Sequence, residues 1–322
     1  MSAETEEIKE VKKEVKEEVK EDKMDAGMKK TVKLLTDAAG GDQSVGKWVD
    51  DGAGGLRFWY PSDWIKVDFM RHLYGGEMVD DENKYARKWI RQPFLWEFRQ
   101  QPHWRTFYNN KGLTKEACEA WALIRRVKYL VETLCGGDYS KAVVFDICCG
   151  KGYLGATLAG MHRDLNVRML DKNKHIKFSY LADLPNATAT IGDIMKGTFL
   201  VDWVNREMAK LPQGTVGIIV GIHLCGLLSE ALINAFIKCE GLKGMALSPC
   251  CLANHKICDA TNKARPLLAS IDNYIYWNLH LLFMIPKEYR KSLKEDTYMN
   301  TKKDRVLLAT KTPRLIQSYS DE

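Results

Sequence analysis

Gly150-Lys151-Gly152-Tyr153-Leu154-Gly155 is a G-x-G-x-x-G hexapeptide, and it follows an apolar run that contains Asp146. The pattern alone is common; its place between a strand-like run and a helix-length segment gives it chemical meaning. Glycine is needed where the chain turns sharply and a ligand approaches the backbone. Two ligands suit such a turn. A dinucleotide rests its pyrophosphate on a helix N-terminus, where backbone N–H groups favour an anion. S-adenosyl-L-methionine has no phosphate, and its amino-acid end carries an ammonium group beside a sulfonium. Asp146 stands four positions before the first glycine, so its charge opposes the anion and favours the cation. Asp171, closing the next apolar run, suits a ribose diol with either ligand. Asp193-Ile194, after the third, offers a polar contact and an apolar wall for adenine. Asp146, together with a terminal hairpin, favours S-adenosyl-L-methionine over a nicotinamide cofactor such as NAD.

A second group of reactive types lies further on, in GIHLCG (221–226) and SPCC (248–251). Cys250, Cys251, His255 and Cys258 are dense enough to suggest zinc, but only the last three have comfortable gaps. Packing thiols at a strand end are favoured, and no metal is expected. Cys148 and Cys149 are adjacent, a poor geometry for a mutual disulfide. Nine cysteines, an odd number, without a secretory leader indicate reduced thiols in the cytoplasm or nucleus.

These residues need elements to hold them. Ala142–Cys148, Val167–Leu170, Thr188–Ile191, Val216–Ile222 and Gly244–Leu247 read as buried parallel strands. Helix-length segments separate them: Tyr153–Met161, Ile176–Leu181, Leu200–Lys210, Leu227–Cys239 and, after the fifth, Asn262–Asn273. Two closing apolar runs, Leu279–Ile285 and Arg305–Thr310, are expected to pair as an antiparallel hairpin. The sum is a doubly wound, mostly parallel α/β sheet. Upstream, a helix is expected over Thr114–Leu134, capped by Thr114 and stopped by Gly136-Gly137.

VVFDICCGKGYLG (143–155), Asp171, Asp193 and the terminal hairpin resemble the seven-stranded S-adenosylmethionine-dependent methyltransferases. The usual loop there is D-x-G-x-G-x-G; this chain has Asp146, Cys148, Gly150 and Gly152, so cysteine replaces the first glycine. GIHLCG and SPCC narrow the resemblance to a subgroup. It includes the glutathione S-transferase C-terminal-domain-containing proteins and the HLCG-type tRNA ribose 2′-O-methyltransferases. The resemblance covers roughly 141–310 and implies a seven-stranded sheet of order 3-2-1-4-5-7-6. It implies cofactor contacts from Asp146, Cys148, Gly150, Lys151, Gly152, Tyr153, Asp171, Asp193 and Ile194. It places His223 and Cys225 beside the transferring methyl. An oxygen acceptor needs a base, and a neutral imidazole suits that role. The Asn/Asp-Pro-Pro-aromatic tetrapeptide of many amino-methylating relatives is replaced by His-Leu-Cys-Gly, and the Lys–Asp–Lys–Glu set of many ribose methyltransferases is not evident. The implied organisation is a charged low-complexity tail (1–47), a Trp-rich helical region (48–135) and a methyltransferase domain (136–322).

Charge and composition bear on partners. The net charge is +6, with an acidic excess over residues 1–55 and a basic excess after them. No run of about 18 uncharged apolar residues exists, so no membrane association is expected. Residues 84–110 alternate arginine with aromatics, and Lys287, Arg290, Lys291, Lys294, Lys302, Lys303 and Arg305 form a basic run. Both suit RNA, although the tryptophans read better as a second core with arginine stems packed on it. Ile8, Val11, Val15 and Val19 give the Lys/Glu tail one narrow helical face; a solvated, partly helical tail is the favoured reading, and a helix that docks a protein partner is the alternative. The function classes that remain are an RNA methyltransferase, a methyltransferase of a small molecule or protein, and a silent cofactor-binding protein.

Overall fold

The structure is a computed structural model of the 322-residue chain. It describes residues 47–50, 56–59, 64–65, 84–90, 92–98, 101–108, 112–250, 273–299 and 304–312. The expected tail helix, the 262–273 helix and Cys251, His255 and Cys258 lie outside the described residues. The chain divides into two compact units, Met1–Asp81 and Glu82–Glu322. In the first, β1 (Lys47–Asp50), β2 (Leu56–Trp59) and β3 (Trp64–Ile65) form a small antiparallel sheet.

The second unit begins with α1 (Lys84–Ile90), α2 (Pro93–Phe98), α3 (Arg105–Tyr108) and α4 (Leu113–Cys135). There follow β4 (Ala142–Ile147), α5 (Tyr153–Met161), β5 (Asn166–Asp171), β6 (Ala187–Ile191), α6 (Phe199–Met208) and β7 (Val216–Leu224). The chain continues through α7 (Leu227–Lys238), β8 (Leu242–Pro249), α8 (Asn273–Met284), β9 (Arg290–Glu295) and β10 (Arg305–Thr310). The sheet runs β6-β5-β4-β7-β8-β10-β9, which is the expected 3-2-1-4-5-7-6. Only β10 is antiparallel to its neighbours β8 and β9. Every residue of β4 is buried, as a strand covered on both faces requires. No helix among the described residues is long and apolar enough to cross a membrane.

Three expectations are corrected. Leu279–Ile285 is not a strand. It lies on and just after α8, whose Tyr274, Trp277 and Leu281, with Ile285 beyond, are buried at spacings of three and four. The sixth strand is β9, RKSLKE, a basic edge strand whose only apolar residue is Leu293. Thr114 does not cap α4: the N-cap is Gly112, with no side-chain cap. Gly136 does end α4, at φ 62, with its N–H on the Glu132 carbonyl. Ile176–Leu181 is no α-helix; only a 3-10 turn forms, at Ser179–Asp183.

Among the described residues, the large upstream aromatics are core. Trp89, Trp104, Phe107, Tyr108, Tyr153 and Tyr180 are buried against one another. Their polar ends fasten the glycine loop and α5: Tyr180 Oη donates to Lys151 O at 2.7 Å, Tyr153 Oη to Phe107 O at 2.7 Å, and Trp89 Nε1 to Thr157 Oγ1 at 2.7 Å. Trp104→Ala opens a cavity in the middle of this layer. We expect it to cost about 3–5 kcal/mol, read as a lower denaturant midpoint at unchanged slope.

Candidate functional site

The glycine turn is built by backbone that ordinary residues avoid. Cys148, Gly150 and Gly152 have φ of 54, 53 and 75. Cys148 occupies a left-handed position that glycine would take without strain. Cys149 N–H reaches across to Leu170 O at 3.1 Å, and Gly152 N–H folds back onto Cys149 O at 2.8 Å. At Gly152 an added Cβ would collide with the Tyr180 hydroxyl and lie 2.9 Å from Met169 Sδ. At Gly150 nothing stands within 4 Å of a Cβ, so the backbone there is open to a ligand.

Two carboxylates brace the turn. Asp146 Oδ2 accepts the Gly155 N–H at 3.0 Å, and the residue is 2 % exposed. Burial pushes its carboxyl up to about 7, opposed by the Gly155 N–H and helped by nearby Asp171. Asp171 Oδ2 accepts the Gly150 N–H at 2.9 Å, and Oδ1 accepts the Asn173 N–H at 2.8 Å. Asp193 Oδ1 accepts the Met195 N–H at 3.0 Å, and Ile194 beside it is buried. Burial also pushes the Cys148 thiol up to about 12 and Cys149 well above its ordinary value, so neither is a thiolate at neutral pH.

An open cleft of about 1250 Å³ is walled by Gly150, Lys151, Tyr153, Tyr180, Phe107 and Glu116, among others. Asp146, Asp171, Asp193, His223 and Cys225 are not among its walls. Glu116 links the two regions. Its carboxyl is raised, first by burial and then by neighbouring Glu119, and it also feels His223 and Lys151.

His223 stands at the carboxyl end of β7. Ile222 pairs with Ser248 and Leu224 with Pro249, so His223 is an extra residue in a β-bulge. Its φ is 54. His223 and Cys148 are the two non-glycine residues of positive φ among the described residues. Strain of this kind collects where a side chain must be aimed. His223 Nε2 lies 2.6 Å from Oε1 of Glu119, a contact that is an ion pair only when the ring is protonated, and the N–H direction departs from that of a directed hydrogen bond. The thiols of Cys225, exposed, and Cys250, half-buried, both reach the His223 carbonyl, at 3.5 and 3.4 Å. Cys225 therefore touches the backbone of His223.

Glu119 escaped the sequence reading. It sits on α4 with no exposed surface. Its signal was available: between Ala117 and Ile124 it is the sole charged residue, and a lone buried acid within an apolar stretch of helix points beyond packing.

Residues 119–257 match the family model described as a methyltransferase domain. No protein with a curated description is similar in sequence. Among solved structures, the chain is similar to the plantazolicin methyltransferase BamL at 11% identity and TM-score 0.38, covering 72% of this chain and 98% of that one. Precorrin-6y C5,15-methyltransferase from Geobacter metallireducens GS-15 gives 15% and 0.28, over 52% and 77%. A fibrillarin/Nop5p complex gives 12% and 0.35, over 58% and 82%. The match over residues 119–257 indicates a methyltransferase with S-adenosyl-L-methionine as its cofactor. The residues fit that cofactor. The buried Asp146 carboxyl has a single backbone donor and is ready to be ionised by a cation, whereas a pyrophosphate there would meet two carboxylates braced under the turn.

Proposed function

Starting from a methyltransferase domain over residues 119–257, we propose that the chain methylates a hydroxyl of a structured RNA. The cofactor supplies an electrophilic methyl group on a positively charged sulfur. In this reading Asp146 neutralises its cationic amino-acid end, and Gly150 and Gly152 let it approach the backbone. Cys148, Lys151 and Tyr153 form the adjoining wall. Asp171 takes the ribose hydroxyls with the lone pairs its backbone donors leave, and Asp193 and Ile194 receive adenine. His223 holds the acceptor and takes its proton; Cys225 shapes the edge through the His223 carbonyl. GIHLCG and SPCC carry the resemblance to the HLCG-type tRNA methyltransferases, which favours structured RNA.

One observation carries the choice of RNA. A groove lies between α4 and the β9–β10 hairpin, lined by Arg126, Tyr129, Arg290, Lys291, Ser292 and Lys294, among others. Arg290, Ser292 and Lys294 share one face of β9 opposite Thr310, Leu308 and Val306. Arg126 is seven residues beyond Glu119 on α4, about 10 Å along the same helix face. A strand held in the groove by its phosphates thus lies within a few nucleotides of His223. Two arms test this. Labelled methyl from S-adenosyl-L-methionine should enter RNA among fractionated RNA, protein and metabolites; label confined to protein or metabolites rejects RNA. Reversing Arg290 and Lys294 to Glu should weaken RNA binding and lower its salt slope by about two, with cofactor affinity unchanged.

A further inference from the structure

Resting on the reading of His223 as the acceptor's base, we propose that Glu119 is its positioning residue. The carboxylate holds the imidazole by Nε2, leaving Nδ1 as the atom that receives the acceptor's proton.

Four observations converge on this assignment. Glu119 is fully buried, and neither of its oxygens has a hydrogen-bond partner. Its neighbours on α4, Ala117, Ala120 and Leu123, are equally buried and apolar. An alanine or leucine would therefore satisfy packing, and a carboxylate left unpaired in such a place is costly. The charged groups near it are His223, whose Nε2 lies 2.6 Å from Oε1, half-exposed Lys115, whose Nζ lies 3.4 Å from the same oxygen, and Glu116, whose carboxyl it raises. His223 Nε2 is itself sealed from solvent, while 27% of the side chain remains accessible. With Nε2 closed off against Glu119, the acceptor meets the ring through its other nitrogen. Finally, the bulge and the left-handed backbone at His223 turn its side chain to this one partner.

The roles then balance. The acceptor hydroxyl gives its proton to Nδ1 as its oxygen bonds the methyl carbon, and the sulfur departs with the electron pair of the broken bond. The positive charge passes from sulfur to the imidazolium, where Glu119 opposes it, and the proton later leaves to solvent. Fixing the ring tautomer through a buried carboxylate is a known way to make a histidine a base at one chosen nitrogen.

The test begins without any substrate. Nitrogen-15 NMR of the imidazoles, recorded at a pH where the His223 ring is neutral and with His223 assigned by its loss in His223→Asn, should show the proton at Nε2 as one tautomer. A ring protonated at Nδ1 overturns the proposal. Glu119→Leu, whose side chain suits the apolar turn, should retain cofactor binding and lose the single-tautomer signature. Methyl transfer into bulk tRNA should fall by ~10²–10⁴-fold. Glu119→Gln, which keeps the shape, serves if the leucine variant does not fold, and its transfer should also fall. Undiminished transfer in either folded variant overturns the proposal. If no RNA takes label from the wild type, the RNA reading fails, and the ring measurement still decides the role of Glu119.

Discussion

Replacing His223 with alanine is expected to lower methyl transfer by ~10²–10⁴-fold, the range of a positioned general base, while S-adenosylhomocysteine binds as before. The separation follows from where the residue sits. The cofactor-side groups, Asp146, Asp171 and the glycine turn, hang from β4 and β5 and are braced by their own backbone bonds. His223 hangs from β7, in a bulge whose contacts are Glu119 and two cysteine thiols. Losing the ring therefore leaves the turn intact. It strips the acceptor of its base, because the sulfonium is already a good leaving group and alignment with deprotonation is what remains for protein to supply. Calorimetry with the demethylated cofactor and single-turnover transfer into RNA read the two quantities separately. Full transfer by a variant that still binds the cofactor would remove His223 from the chemistry.

The second large effect is a dependence of cofactor affinity on pH. Burial raises the Asp146 carboxyl from 3.8 to about 7 in the folded chain. Between those values the folded state holds a proton that the unfolded state has lost. The stability that this proton represents is therefore present below pH 3.8 and lost as pH rises toward about 7. The cationic cofactor reverses the preference, since it favours the carboxylate. Its affinity should climb as pH rises through about 7 and level off above, with binding at pH 6 weaker by ~10-fold than the plateau. Asp146→Asn should bind more weakly than the plateau and show no such climb. Isothermal titration from pH 5.5 to 8.5 makes the comparison. A flat profile in the wild type, matched by the asparagine variant, would remove Asp146 from the cofactor's charge balance.

The sheet was readable because parallel strands buried on both faces are continuous apolar runs, and VVFDI and GIIVGI announce themselves. The hairpin's first strand was not. β9 is an edge strand of Arg, Lys, Ser and Glu around Leu293, so its pattern is that of a surface loop. The apolar run taken in its place belongs to α8, where a short stretch of leucines looks alike in helix and strand until Tyr274 and Trp277 are counted. Of the site, the residues local to the turn were legible, since glycine spacing and a preceding acid are properties of contiguous chain. Glu119 was not paired with His223 because 104 positions separate them and only the packing of α4 along β7 and β8 joins them.

The basic character of β9 has an effect on colloidal behaviour as well. This strand is one of the two open borders of the seven-stranded sheet. Unsatisfied amides along such a border invite a second molecule to add a strand. Arg290 and Lys294 place like charges where that intruder would lie, so the same cations that line the groove discourage fibril-like stacking of one copy on another. Variants that neutralise them with apolar residues would therefore confuse lost RNA affinity with self-association. Reversal to glutamate keeps the border repulsive and isolates the binding effect.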